Sequence, residues 1–175
     1  MINSTRLRLR YILNSDLDSV HHLHSLPETN KYNTLGIPEN IGVTKRIVNE
    51  WIEELNKNPI LCYSFVIEQK IDNLFAGLIA LNLGKPKYRS AEVWFKLLPE
   101  FWGKGYATEA VKEIIHFGFH DLNLHRIEAG CAVDNVASIK VLEKTGMILE
   151  GRTRKKLPLQ NGWADNFEYA ILEED

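Results

Sequence analysis

The chain has 175 residues, 45% hydrophobic and 25% charged, with a formal net charge of −2 at pH 7. That size can bury a core of its own and suggests one domain over residues 1–175, and the composition argues against disorder. The near-neutral charge offers no basic stripe of the kind a nucleic-acid partner requires.

Thr5–Leu13 alternates apolar and polar residues, predicting a first strand whose RLRLR segment turns its arginines to a solvated face. The residues up to there hold no apolar signal-peptide core. Ser15 or Asn14 is placed to cap a helix with Leu17, Val20, Leu23 and His24 on one stripe. His21, His22 and His24 have no acidic or cysteine partners at ligand spacing, so they read as a solvated helix face and no metal is expected. Residues 25–43, rich in Pro, Gly, Asn and Thr, read as a long loop, a length that often carries function. Thr44 is the expected cap of a second helix, with Ile47, Val48, Trp51, Ile52 and Leu55 on one face.

Cys62–Glu68 and Leu74–Leu83 form a predicted hairpin across the polar turn 70–73. The run from Leu74 to Leu81 is the longest apolar stretch and far short of the roughly 20 residues of a membrane-spanning helix, so no membrane partner is expected. Ala91–Leu98 reads as a strand and Thr108–Phe119 as a helix, with Ala110, Val111, Ile114, Ile115 and Gly118 at helical spacing. Arg126–Val133 is a strand, and Val136–Lys144 a short helix stopped by Gly146. Ile148–Arg154 and Phe167–Leu172 are the closing strands, with a turn at 160–162. Cys62 and Cys131 are too few for a disulfide framework and read as buried thiols of a reducing cytoplasm. Early hairpins and one late βαβ unit make a mixed α/β sheet with helices on its faces.

Gly103 and Gly105 stand where the strand of 91–98 turns into the helix that follows. Glycines there either shape a tight turn or let an anion approach the unpaired amides of a helix start. The dinucleotide fingerprint G-x-G-x-x-G fails at its third glycine, which is Thr108, and the pair follows hairpin strands rather than opening a parallel half. A nicotinamide enzyme is discounted on that ground. Trp51 and Trp94 read as packing residues.

The stretch from Glu92 to Ala110, EVWFKLLPEFWGKGYATEA, followed by DNVASIKVLEKTGM from Asp134 to Met147, resembles the GNAT N-acetyltransferases, and more narrowly their RimJ/RimL-like branch, which acetylates N-termini of ribosomal proteins. The resemblance runs from RLRLR to the closing GWADNFEYAIL. It implies a mostly antiparallel sheet of about seven strands flanked by about four helices, with one parallel βαβ unit splayed to hold acetyl-coenzyme A. By that match the amides of Gly103, Lys104, Gly105, Tyr106, Ala107 and Thr108 cradle the pyrophosphate, and backbone at Phe95 and Leu97 pairs with pantetheine. In the superfamily pattern Q/R-x-x-G-x-G/A, Gly105-Tyr106-Ala107 fits the second half, while Trp102 stands at the Q/R position. Asn135 helps to fix the pantetheine arm, although it is equally suited to cap the helix from Val136.

The same match makes Glu92, 13 residues before Gly105, the candidate base. Many relatives carry a tyrosine acid seven residues after the asparagine; that position is Leu142 here, and Ser138 is the substitute, or else a hydroxyl bonded to its own helix. Tyr32 and Trp163 are candidates for the acceptor pocket, or packing residues. The implied acceptor is a primary amine: a protein N-terminus first, a small amine such as a polyamine, amino acid or aminosugar second. An acyl-coenzyme A-binding module with weak turnover is the non-enzyme alternative, favoured by Leu142. The closing strands often pair subunits in relatives, which makes a homodimer a further implication.

Overall fold

The computed structural model describes residues 1–175. The alternation of RLRLR survives as strand β2 (Leu7–Tyr11), with Leu7 and Leu9 fully buried. Its arginines are not simply solvated. Arg8 and Arg10 both donate to Glu68 on the neighbouring strand, at 2.6 and 2.8 Å, and Arg10 forks onto Asp16. The remaining elements are β1 (Ile2–Asn3), α1 (Leu17–Ser25), α2 (Pro27–Asn30), α3 (Ile41–Glu54), β3 (Cys62–Gln69), β4 (Phe75–Leu83), β5 (Ser90–Leu97), α4 (Tyr106–His120), β6 (Arg126–Ala132), α5 (Val136–Lys144), β7 (Ile148–Leu159) and β8 (Gly162–Leu172). The strands join in one sheet of order β1-β2-β3-β4-β5-β6-β8-β7. Every neighbouring pair is antiparallel except β5 and β6. This is the mixed α/β sheet expected, with the two-residue β1 and the one-turn α2 added.

Several boundaries differ from the sequence reading, each for a local reason. Asn40, not Thr44, caps α3, accepting from the Gly42 amide at 2.9 Å. Thr44 lies fully buried one turn inside, bonded to the His21 ring at 2.8 Å. The long loop is shortened from both ends, because Pro27 opens α2 at its first position, where the missing amide costs nothing. A 3-10 turn, Asn14–Asp16, precedes α1. His24 is 2% exposed beneath Trp51, so it is not part of a solvated face. Cys131 is buried as expected, but Cys62 is only half-buried. The closing hairpin extends well beyond 148–154 and 167–172, as a ribbon whose outer strand is largely exposed. With little apolar alternation there, the pairing leaves no pattern to read.

Helix α4 sets the core on one face of the sheet, burying Ala110, Val111, Ile114, Ile115 and Gly118. Helices α1 and α3 cover part of the other face, where Trp51 meets Trp94 at 5.7 Å between centroids. Between β5 and β6 the sheet forks. β5 and β6 pair over only three residues, Ser90–Glu92 with Arg126–Glu128, and then part. β5 continues to Leu97 bonded to β4, and β6 continues to Ala132 bonded to β8.

Gly77 holds one wall of that fork. A Cβ there would stand 2.2 Å from the Lys96 carbonyl oxygen and 2.8 Å from Leu97 Cα, both backbone atoms that can move only with the strand. Gly77→Ala is expected to cost about 3 kcal/mol or more, the upper range for an overpacked core. A urea melt reads it directly, and an unshifted midpoint would refute the tight β4–β5 contact.

Candidate active site

The chain leaves β5 through a 3-10 turn, Pro99–Phe101, and enters α4 across two residues with positive φ, Gly103 at 70° and Gly105 at 80°. This left-handed backbone is open to glycine at little cost. The first amide to bond back along the helix is that of Glu109, to Gly105 O at 3.0 Å. Six consecutive amides, Gly103 to Thr108, therefore have no acceptor in the protein. Unpaired donors at the positive end of a 15-residue helix form a site for an anion, and phosphate fits it.

Arg6 braces this loop, and nothing in the sequence pointed to it. Its guanidinium donates to the Lys104 carbonyl at 2.9 Å and lies 4.4 Å from the Tyr106 ring centroid. Its Nε and backbone amide both bond Glu109, at 2.7 Å, and Ser4 Oγ adds a third bond to the same carboxylate. Trp102, at the position where the family pattern has Gln or Arg, ties the loop to β5 by donating from Nε1 to Leu97 O at 2.8 Å.

The cradle opens into a cavity of about 800 Å³ lined by the end of β5, the start of α4, α5 and the residues around α2. The wall brings together Phe95 and Leu97 of β5, Gly103, Gly105, Tyr106, Ala107 and Thr108 of the cradle, Asn135 and Ser138 of α5, and Tyr32 beyond α2. Three other candidates lie off it. Lys104 turns its amine toward Phe101, 5.8 Å from the ring centroid. Trp163 is 64% exposed at the tip of the closing hairpin. Glu92 sits at the fork itself, the last paired residue of β5, on the face away from α4. It keeps contact with solvent, yet burial raises its carboxyl pKa; Lys156 opposes this, and repulsion by Glu168 and Glu128 adds to it.

Asn135 does cap α5, accepting from the Ser138 amide at 3.2 Å. Leu142 is 1% exposed in the core and has no proton to give. Lys96 also lines the cavity, 6% exposed, its ammonium bonded to Asn30 Oδ1 at 3.1 Å. Burial lowers its pKa to about 8. Strand alternation would put Lys96 on the open face; α2, which no apolar pattern announced, covers it. Lys140 and Lys144, one turn apart on α5, bring further positive charge to the cavity wall.

Residues 6–148 match the family model of the acetyltransferase (GNAT) domain. The chain belongs to the GNAT acetyltransferases. The uncharacterized N-acetyltransferase YnaD of Bacillus subtilis is 34% identical over 99% of this chain and 98% of its own length. A crystal structure of a GNAT-family acetyltransferase from Bacillus anthracis superposes with a TM-score of 0.87 at 31% identity, covering 99% of both chains. Spermidine N-acetyltransferase from Vibrio cholerae, solved with coenzyme A and spermine, superposes at 0.86 with 25% identity over 98% of both chains. As a GNAT enzyme this protein is an acyltransferase that uses acetyl-coenzyme A, and the unpaired amides of residues 103–108 suit that cosubstrate's phosphates. No cluster of three or more His, Cys, Asp or Glu side chains is placed to hold a metal, and no helix is long and apolar enough to cross a membrane.

Proposed function

We propose that residues 1–175 act as one domain transferring acetyl from acetyl-coenzyme A to the primary amine of a small cationic acceptor. The observation that carries the transfer reading is the row of six unpaired amides opening into the cavity beside the end of β5 that has parted from β6. In this reading the amides of Gly103, Lys104, Gly105, Tyr106, Ala107 and Thr108 hold the pyrophosphate, with Lys140 and Lys144 adding charge on the α5 side. The parted edge of β5 at Phe95 and Leu97 pairs with pantetheine, and Asn135 combines its capping bond with a contact to the same arm. Ser138 offers its hydroxyl proton to the departing thiolate.

Glu92 takes the proton of the attacking amine, directly or through one water. The amine nitrogen then bonds the acetyl carbon, the carbon–sulfur bond breaks, and sulfur leaves with the electron pair. Because the Glu92 pKa is raised, the rate should climb with pH across a limb above the usual carboxylate range, where Glu92 becomes deprotonated. Glu92→Gln should lower kcat by about 100-fold, the size expected for loss of a general base, and erase that limb, leaving the Kd for acetyl-coenzyme A as it was. Thiol release measured across pH tests this; a wild-type profile in the variant would remove Glu92 from the chemistry.

The RimJ/RimL resemblance places a protein N-terminus first among acceptors. The charge at the fork favours the small cation instead: Glu92, Glu128 and Glu168 share one face there. The likeness to spermidine N-acetyltransferase supports the same order. A panel of polyamines, monoamines and N-terminal peptides separates the two acceptors.

A further inference from the structure

Asn166 of β8 is 1% exposed, yet its Oδ1 has no hydrogen-bond donor. A buried amide oxygen left unpaired is uncommon and calls for a partner. Its surroundings say which kind. Asn166 pairs with Ala132 of β6, and Glu168 with Gly130, so both side chains stand on the face that carries Glu128 and Glu92. The amide lies over Gly130, where an added Cβ would meet Asn166 Nδ2 at 3.0 Å. Beside it, Glu168 Oε1 accepts from Thr153 at 2.9 Å and from Lys156 at 2.7 Å.

The cations of this face are already committed. Lys156 is held by Glu168, and Arg126 bridges Glu128 and Glu150. Glu92 has no ion-pair partner within bonding distance. What is missing is a donor that carries positive charge. A carboxylate or phosphate would meet an acceptor oxygen and three glutamates; an alkylammonium brings three N–H groups and the compensating charge.

We propose that Asn166 Oδ1 and Glu168 form an ammonium subsite holding the second, unreacted amino group of a diamine- or polyamine-type acceptor while its first amino group faces Glu92. The subsite rests on the amine-acetyltransferase reading above and adds to it the residues that select a doubly charged acceptor. β6 runs from Glu128 to Ala132 between the two positions, about 13 Å of strand at 3.3 Å per residue, and the Asn166 side chain reaches back across Gly130 to shorten that span.

Calorimetric titration of the full chain, saturated with coenzyme A, compares 1,4-diaminobutane with butylamine, which lacks only the second amine. The diamine is expected to bind at least about tenfold tighter, the scale of one hydrogen bond to a charged group. Asn166→Leu and, separately, Glu168→Gln should each erase most of that ratio. In steady-state turnover each should raise KM for the diamine about tenfold more than KM for butylamine, with the loss in KM rather than kcat. Equal binding of the two amines by the wild type, or an undiminished ratio in both variants, overturns the subsite and assigns Oδ1 to water. Should Asn166→Leu fail to fold, Glu168→Gln decides alone. Absence of turnover with every amine would sink the acetyl-transfer reading instead, and the titration would still decide the subsite.

Discussion

Gly105→Val is expected to weaken acetyl-coenzyme A binding by about 100-fold while lowering stability only modestly. The reason is conformational, not steric: nearest to an added Cβ is the Arg6 guanidinium at 3.5 Å, an ordinary contact. The backbone is what resists. At φ 80° a β-branched residue costs about 1–2 kcal/mol or more, so the loop is pressed toward an extended turn. Rotating that peptide redirects the amides of Gly105 and Tyr106, two of the six donors in the cradle. Loss of two hydrogen bonds to a charged ligand accounts for about 3 kcal/mol, which is the 100-fold stated. The bonds of Arg6 and Ser4 to Glu109 confine the damage, because they hold the start of α4 independently of the Gly105 peptide, whereas the Arg6 bond to Lys104 O shares that peptide and weakens with it. Calorimetry with acetyl-coenzyme A, beside a thermal melt, separates the two effects. Undiminished affinity in a folded variant would show that the amides of this loop do not carry the phosphate.

How much of this site the sequence could disclose depends on the range of the interactions that build it. Gly103 and Gly105 were legible because strand, turn and helix follow one another in the chain, and the periods of 2 and 3.6 residues mark each border. Asn135 was legible for the same reason, as a cap adjoining its own helix. Arg6 was not: it reaches Glu109 across 103 residues, and only the placement of β2 beside α4 creates the contact. Asn166 was invisible because an orphaned atom is a property of packing, not of pattern. The outer half of the closing hairpin was missed because a strand exposed on both faces shows little alternation. His24 stood both on the apolar stripe of its helix and among histidines read as solvated, and the structure buries it beneath Trp51 of α3. Lys96 drew no reading at all, because its burial rests on α2, a short helix that no apolar repeat foretells.

That buried pair also sets the pH response of the fold. Burial, and then the nearby Lys96 and His21 charges, bring the His24 pKa to about 4, and burial alone brings that of Lys96 to about 8. Asn30 links them: its Nδ2 donates to His24 O at 2.6 Å while its Oδ1 accepts from Lys96. The elements packed round this spot bring His21 and His24 from α1 and Lys96 from β5, and the His24 Nδ1 has no partner. Both groups are depressed below their unfolded values, so for both the unfolded chain binds more protons and stability rises with pH. For His24 the window runs from about pH 4 to 6.5, and crossing it downward removes about 3 kcal/mol, at 1.36 kcal/mol per unit. For Lys96 the window runs from about 8 to 10.5: a penalty of about 3 kcal/mol present at neutral pH is relieved as the amine discharges. Lys96→Met should therefore gain about 2 kcal/mol at pH 7, part of the relief being offset by the donor lost to Asn30. Its advantage over wild type should vanish near pH 10.5. His24→Leu should flatten the acid limb alone and leave the alkaline one. Urea midpoints of the three proteins at pH 4.5, 7 and 10.5 decide it. A Lys96→Met advantage that persists at high pH would mean that lost packing, and not a buried charge, limits stability at the fork.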